Sequence, residues 1–289
     1  MNPLNSAIFP IMTHCPRRSK YTAQMKKFKG LLYDDKRLRM LIWLIAIVAA
    51  WELSTRAGWV NGYILPPFSN VCAALYKGLF GGRLGRQTLS SLRVVFIGFA
   101  LSFALAVLTT LLCTVSRWTS SLFDTLATIL MPLPSIAVLP LIIMWFGIDK
   151  KAVYILIVHG VLWTMARHLL DGLRSVPKIY IEFGRNIALP PHRMFFGIVI
   201  FAIMPELLAG LRTGWGRAWR ALISAEMVFG MIGAAGGLGY FIYIGRAYAR
   251  ILDVFVGIIV IAGVGILAEH FVFSQIERMT TRKWGMTHE

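Results

Sequence analysis

Charge is scarce in this chain. Only 15% of its 289 residues are Asp, Glu, Lys or Arg, against 57% apolar, whereas a soluble domain normally carries about 25% charged residues. That shortage excludes an ordinary water-soluble globule. Cysteine is scarce as well. Cys15, Cys72 and Cys113 are odd in number, far apart and without metal-ligand spacing, which excludes a disulfide framework and a zinc site. Catalytic signatures are missing: there is no H-E-x-x-H and no G-x-S-x-G. His159, His168 and His270 are scattered, and Asp124, Asp149, Asp171 and Asp253 have no acidic neighbour, so no constellation for a membrane-embedded enzyme is visible. The phosphate loop G-x-x-x-x-G-K-[ST] is absent too, and the dipeptide Gly-Lys never occurs, so the chain cannot bind ATP in that way.

What the sequence does have is long uncharged runs. Val94 to Ser116 and Thr125 to Ile148 contain no ionisable side chain, and about 20 helical residues cross a bilayer's hydrocarbon core. Shorter runs end in charges, and Glu52 interrupts the first. The expected spans are 38–56, 92–116, 124–148, 152–173, 205–229 and 251–275, the fifth with charges inside it. This predicts an all-α, polytopic membrane helix bundle of about six spans.

Orientation follows from the basic residues in short loops. Arg17, Arg18, Lys20, Lys26, Lys27, Lys29, Lys36, Arg37 and Arg39 gather around a basic arm, residues 1–37. Arg167, Arg174, Lys178, Arg185 and Arg193 follow the fourth span, and Arg278, Arg282 and Lys283 lie in the tail, 278–289. Six spans put these segments on one side, which makes both termini of this multi-pass chain cytoplasmic. The net charge of +17 is then explained by orientation and by contact with anionic lipid. No folded basic module suggests a nucleic-acid partner. Met1 to Gly30 has no continuous apolar stretch that would make a cleavable signal.

Three segments are chemically informative. In the third span Pro132, Pro134 and Pro140 remove helical hydrogen bonds, and the freed carbonyls need protein or water, so this segment is expected to be broken. Broken helices line many transport pathways, although a packed kink has the same sequence signature. Between Pro177 and Pro190-Pro191, Ile179, Glu182, Phe183, Asn186 and Ile187 have helical spacing, which predicts a short surface helix at 178–189. Its apolar stripe suits a protein groove, or lipid if it lies flat. The fifth span carries Arg212, Arg217, Arg220 and Glu226. Charge at membrane depth faces a cavity or a partner. Gly210, Gly214, Gly216 and Ala218 would let another helix approach closely.

The chain resembles the ABC permeases of the nitrate/sulfonate/taurine type, which depend on a binding protein. The elements occur in order: Ile64-Leu-Pro-Pro-Phe68, Ser90-Ser-Leu-Arg-Val94 with Gly98-Phe99, Pro132 to Gly147, Gly210-Leu-Arg212 with Gly216-Arg-Ala-Trp219 and Ala225-Glu226, and Gly237-Leu-Gly-Tyr240. The resemblance implies a fold like that of type I ABC importer permeases, import of a small solute and a place in the bacterial inner membrane. It makes Glu182 the start of the EAA loop that couples to an ATPase, with Phe183, Gly184, Asn186, Ile187 and Ala188. In this loop Phe183 and Gly184 replace two alanines, and Ala188 replaces a glycine.

The path is expected at Pro132, Pro134, Ser135, Pro140, Arg217, Arg220 and Glu226. The implied partners are cytoplasmic ABC ATPase subunits, a second permease chain (the same or a different one), an extracytoplasmic solute-binding protein and membrane lipid. This chain itself would bind no cofactor; ATP and Mg would be used by the ATPase. The fifth-span arginines suit an anionic cargo. The rival is a standalone ion-coupled secondary transporter, which would show internal repeats and midplane carboxylates; no repeat is visible, and Glu226 is the one candidate acid.

Overall fold

A computed structural model describes residues 36–230 and 236–280. The basic arm before residue 36 and the tail after residue 280 lie outside the described residues. The chain divides into two compact units, Met1–Phe68 and Ser69–Glu289. No strand occurs among the described residues.

In the first unit, α1 (Lys36–Arg56) runs through Glu52 rather than breaking there. The Arg56 Nε donates to Glu52 Oε1 at 2.6 Å, one turn away. That pairing near the helix end lowers the cost of a lone acid. Met40, Trp43, Leu44 and Ile47 are exposed, as in a helix whose surroundings are lipid. After α1, the Trp51 indole N–H donates to the Pro66 carbonyl at 3.0 Å. The ring meets Phe68 edge-on at 5.4 Å.

The second unit takes in α2 (Phe68–Phe80) from its second residue onward, and then α3 (Arg83–Val115). At 33 residues, α3 is about 50 Å long, well beyond a hydrocarbon core of about 30 Å. Its buried stripe repeats every three or four residues and is rich in small side chains: Ser91, Gly98, Ser102 and Ala106. Such a stripe admits a close neighbour. That neighbour is α6 (Lys150–Ser175), and a Cβ at Gly98 would come within 2.7 Å of Ile157.

The expected third span is two helices, α4 (Arg117–Leu130) and α5 (Ser135–Phe146), bent by 104°. Pro132 and Pro134 lie in the bend, whereas Pro140 is inside α5. A surface helix, α7 (Lys178–Asn186), is followed by α8 (Pro191–Ala202), which contains a π-helical turn at Phe195–Val199. A 64° bend joins α8 to α9 (Met204–Phe229). Finally come α10 (Leu238–Ala247) and α11 (Ile251–Met279), which has a second π-helical turn at Ala268–Phe273. Among the described residues, four helices are long and apolar enough to cross a membrane, and the two bent pairs bring the number to as many as six if each is one span.

The centre of this unit is the pair α6 and α9. Gly210 lies against His168 and Met165, and Gly214 against Met165, Phe99 and Val161. Ala218 is fully buried. Gly216 instead neighbours only its own helix's Arg220. On the facing helix, Gly160 makes room for Ser135 and Ala221, and Gly172 for Ile203 and Glu206. Glycine at these positions is required by close approach, since a methyl group would force the helices apart.

Candidate functional site

Two adjoining spaces lie beside α4, a shallow open groove along its length and a cleft at the bend into α5. One, of about 650 Å³, is lined by Arg117, Ser120, Ser121, Asp124, Thr125 and Thr128. The other, of about 330 Å³, is lined by Thr128, Met131, Pro132, Arg167 and Arg217. Proline ends α4 here because its ring cannot continue the turn, so the chain leaves the space that a straight helix would fill. The Arg167 Nη1 donates to Asp124 Oδ1 at 3.0 Å, tying α6 to α4. Phe123 stacks on Trp163 one turn away at 6.0 Å. Arg217 is half-buried and forms no ion pair among the described residues. A guanidinium held at a cleft without a counter-charge attracts anions.

Of the residues expected on the path, Pro132 and Arg217 meet in this cleft. Pro134 caps α5, and Pro140 and Arg220 are exposed outside both clefts. Ser135 packs against Gly160. Asp124, Thr128 and Arg167 join them in these spaces, and the sequence does not single them out as path residues. Asp124 and Arg167 stand at the ends of apolar runs, where charge reads as a mark of orientation. Their pairing across 43 residues has no sequence signal.

Glu226 has a different setting. It is only 3% exposed, and no cation reaches it among the described residues. Its carboxylate accepts from Ser91 Oγ at 2.8 and 2.9 Å and from the Gly239 N–H at 2.8 Å. The Ser91 hydroxyl in turn accepts from the Leu238 N–H at 2.9 Å. A Cβ at Gly237 would collide with the carboxylate, and one at Gly239 would lie 2.6 Å from the Ile223 carbonyl. Three of the sequence elements (Ser90-Ser91, Ala225-Glu226 and Gly237-Leu-Gly239) thus converge on one buried junction of α3, α9 and α10. The arrangement follows from cost: a buried carboxylate persists only when hydrogen bonds replace its hydration.

The surface helix α7 presents Ile179, Tyr180, Phe183 and Ile187, each at least half exposed. Glu182 and Asn186 are exposed beside them, and Gly184 alone is buried. A Cβ at Gly184 would meet Met194 at 3.1 Å and Ile198 at 3.2 Å, so α7 rests on α8 at this point. The helix ends with Ala188 at φ +50, Leu189 N–H bonding the Gly184 carbonyl at 2.9 Å and Ala188 N–H bonding that of Arg185. This closure favours glycine, and alanine in it costs about 1–2 kcal/mol.

Two further contacts between charged or titratable groups join elements. Arg212 pairs with Glu269 and reaches Glu277 at 3.5 Å, joining α9 to α11. His168 Nδ1 lies 3.0 Å from Glu206 Oε2.

A model of the binding-protein-dependent transport system inner membrane components matches residues 106–280. The chain is 30% identical over 249 residues to SsuC of Escherichia coli (strain K12), a permease named for aliphatic sulfonate transport, covering 86% of this chain and 92% of that one. It is 24% identical over 267 residues to the nitrate import permease NrtB of Synechocystis sp. (strain ATCC 27184 / PCC 6803 / Kazusa), covering 89% and 92%. Among solved structures, the MetNI methionine ABC transporter in inward-facing conformations has a chain that matches with a TM-score of 0.51 at 18% identity. The match covers 68% of this chain and 95% of that one.

Proposed function

The chain belongs to the binding-protein-dependent transport system inner membrane components, a family of transport permeases and not of enzymes, and we propose that it forms the path for a small anion in an ATP-driven importer. As a member it is a multi-pass protein of the inner membrane. The observation that carries the proposal is the cleft at the α4–α5 bend, where Arg217 forms no ion pair among the described residues and Arg167 is shared with one carboxylate. Hydroxyls of Ser120, Ser121, Thr125 and Thr128 continue it. Cations and hydroxyls without stoichiometric counter-charge suit a passing anion, because each contact is weak enough to release it. The names of the relatives, which specify sulfonate and nitrate, agree with this charge.

Energy comes from outside the chain in this proposal. With no phosphate loop, ATP and Mg belong to a separate ATPase, and α7 is its docking surface. Exposed Ile179, Tyr180, Phe183 and Ile187 supply the apolar face for a groove, and Glu182 the charge that orients it. Closure of two ATPase subunits pulls α7. Because Gly184 rests on Met194 and Ile198, the pull passes to α8 and through the 64° bend to α9, which carries Arg217. ATP then selects one arrangement of the path by contacts made in that arrangement only. A second permease chain completes the path, an extracytoplasmic binding protein delivers the solute, and the basic arm and α7 lie on the cytoplasmic side.

Co-expression with a cognate ATPase, followed by uptake into proteoliposomes, tests this. The intact complex hydrolyses ATP and accumulates an anion. Glu182→Arg leaves the chain inserted but reduces ATP-driven uptake at least tenfold. Uptake driven by an ion gradient without any ATPase would instead identify a secondary transporter.

A further inference from the structure

Arg212 has no part in the path described above, yet two carboxylates of α11 hold it. Its Nε and Nη2 pair with one carboxylate oxygen of Glu269, and its Nη1 lies 3.5 Å from Glu277 Oε2. Glu269 and Glu277 stand eight residues apart in the chain. In a regular α-helix that spacing turns one about 80° away from the other. Here the π-helical turn at Ala268–Phe273 intervenes, and such a turn absorbs one extra residue. The angle then falls to about 20°, so both carboxylates face the same guanidinium. The irregular turn makes the double grip available.

The helix α9 has a second tie to α11. Trp219, only 5% exposed, donates its indole N–H to the Ile261 carbonyl at 3.3 Å. Residues seven apart share a helix face, so Arg212 and Trp219 are held on the same side of α9. Arg217 lies between them in the chain but about 140–160° round the helix, and it lines the cleft with Pro132 and Arg167. On the α6 side, the tie from His168 to Glu206 sits in the first turn of α9, below the level that Arg212 and Trp219 bracket. Two ties on one side of a rod fix its rotation about its own axis. A rotation of about 30° moves a side-chain tip by about 3 Å, enough to make or lose a hydrogen bond.

We propose that Arg212 is a positioning residue for the path: clamped by Glu269 and Glu277, it sets the rotation of α9 and so holds Arg217 at the cleft. It touches no solute itself. The inference rests on the reading of that cleft as the path. It adds that α9 and the end of α11 move as one body when the bend at α8 is pulled.

Two readouts test this, and the first needs no transport. In the full chain with Cys15, Cys72 and Cys113 replaced by alanine, Thr128→Cys and Arg217→Cys put two thiols in one cleft. A short bifunctional thiol reagent then joins them. Adding Arg212→Gln is expected to slow that cross-linking about tenfold. Arg212→Lys recovers part of the rate, because an ammonium keeps the charge tie but not the fork. The second readout is ATP-driven anion uptake by the complex. Arg212→Gln lowers it about tenfold, as Arg217→Gln does, and the two together lower it no further, because one acts through the other. Glu277→Gln removes one arm of the clamp and gives the same pattern at about threefold; it decides the matter if Arg212→Gln does not fold. Cross-linking that ignores these substitutions, or losses that multiply in the double variant, overturns the proposal. A wild-type complex that takes up no anion with ATP overturns the importer reading instead, and the cross-linking still decides what Arg212 positions.

Discussion

The single helix α9 carries two charges with opposite fates. Glu226 is enclosed, and its carboxylate is met by a serine hydroxyl and a backbone amide on two other elements. Arg217, nine residues earlier, is half-buried at the edge of a cleft and has no counter-charge among the described residues. Both would be ranked alike by a rule that treats any intramembrane charge as functional. Their partners separate them. A saturated group holds elements together, and removing it exposes unpaired donors. An unsaturated group in a cleft has capacity left for something that comes and goes.

Four substitutions sharpen or break this contrast. The largest effect is expected for Glu226→Leu, which strands the Ser91 hydroxyl and the Gly239 N–H in an apolar junction. A loss of about 3 kcal/mol is expected, read as a fall in melting temperature in detergent with less folded protein recovered. Next is Ser91→Ala. It removes the hydroxyl bonded to both carboxylate oxygens and orphans the Leu238 N–H, for about 2 kcal/mol by the same measurement. Arg217→Gln should do the reverse. Melting stays within about 0.5 kcal/mol of the wild type, while anion uptake falls about tenfold for the loss of one charged contact. If Arg217→Gln unfolds the protein, or Glu226→Leu melts normally, the contrast fails. The smallest effect belongs to Asp124→Asn, which frees Arg167 from its 3.0 Å partner. Both groups are more than a third exposed, so the pair contributes under about 1 kcal/mol. Anion affinity at the cleft should rise a few-fold with little change in melting.

Much of this molecule is legible in its sequence. The uncharged runs around Val94–Ser116 and Thr125–Ile148 become α3 and the α4–α5 pair, and Pro177 and Pro190-Pro191 bracket α7. The small residues Gly210 and Gly214 do admit a neighbouring helix. In each case the signal is local: hydrophobicity over one helix length, a ring that lacks an N–H, or a missing side chain. The candidate sites were less legible. Arg217 stood out as a charge in an apolar span, but Asp124 and Arg167 looked like span-end charges. Pro140 misled in the other direction. It resembles a break, but α5 accommodates it.

The sequence alone therefore determined the solvent this protein lives in, the lack of a phosphate loop and the family. All depend on composition or on residues adjacent in the chain. Only the tertiary structure decided that a 104° turn would open a cleft at Pro132. It also decided that Glu226 would meet a serine 135 residues away. Those outcomes depend on how each helix is rotated and how closely glycines let it approach its neighbours. Polar groups are scarce enough here that one such rotation determines whether a group is saturated or open.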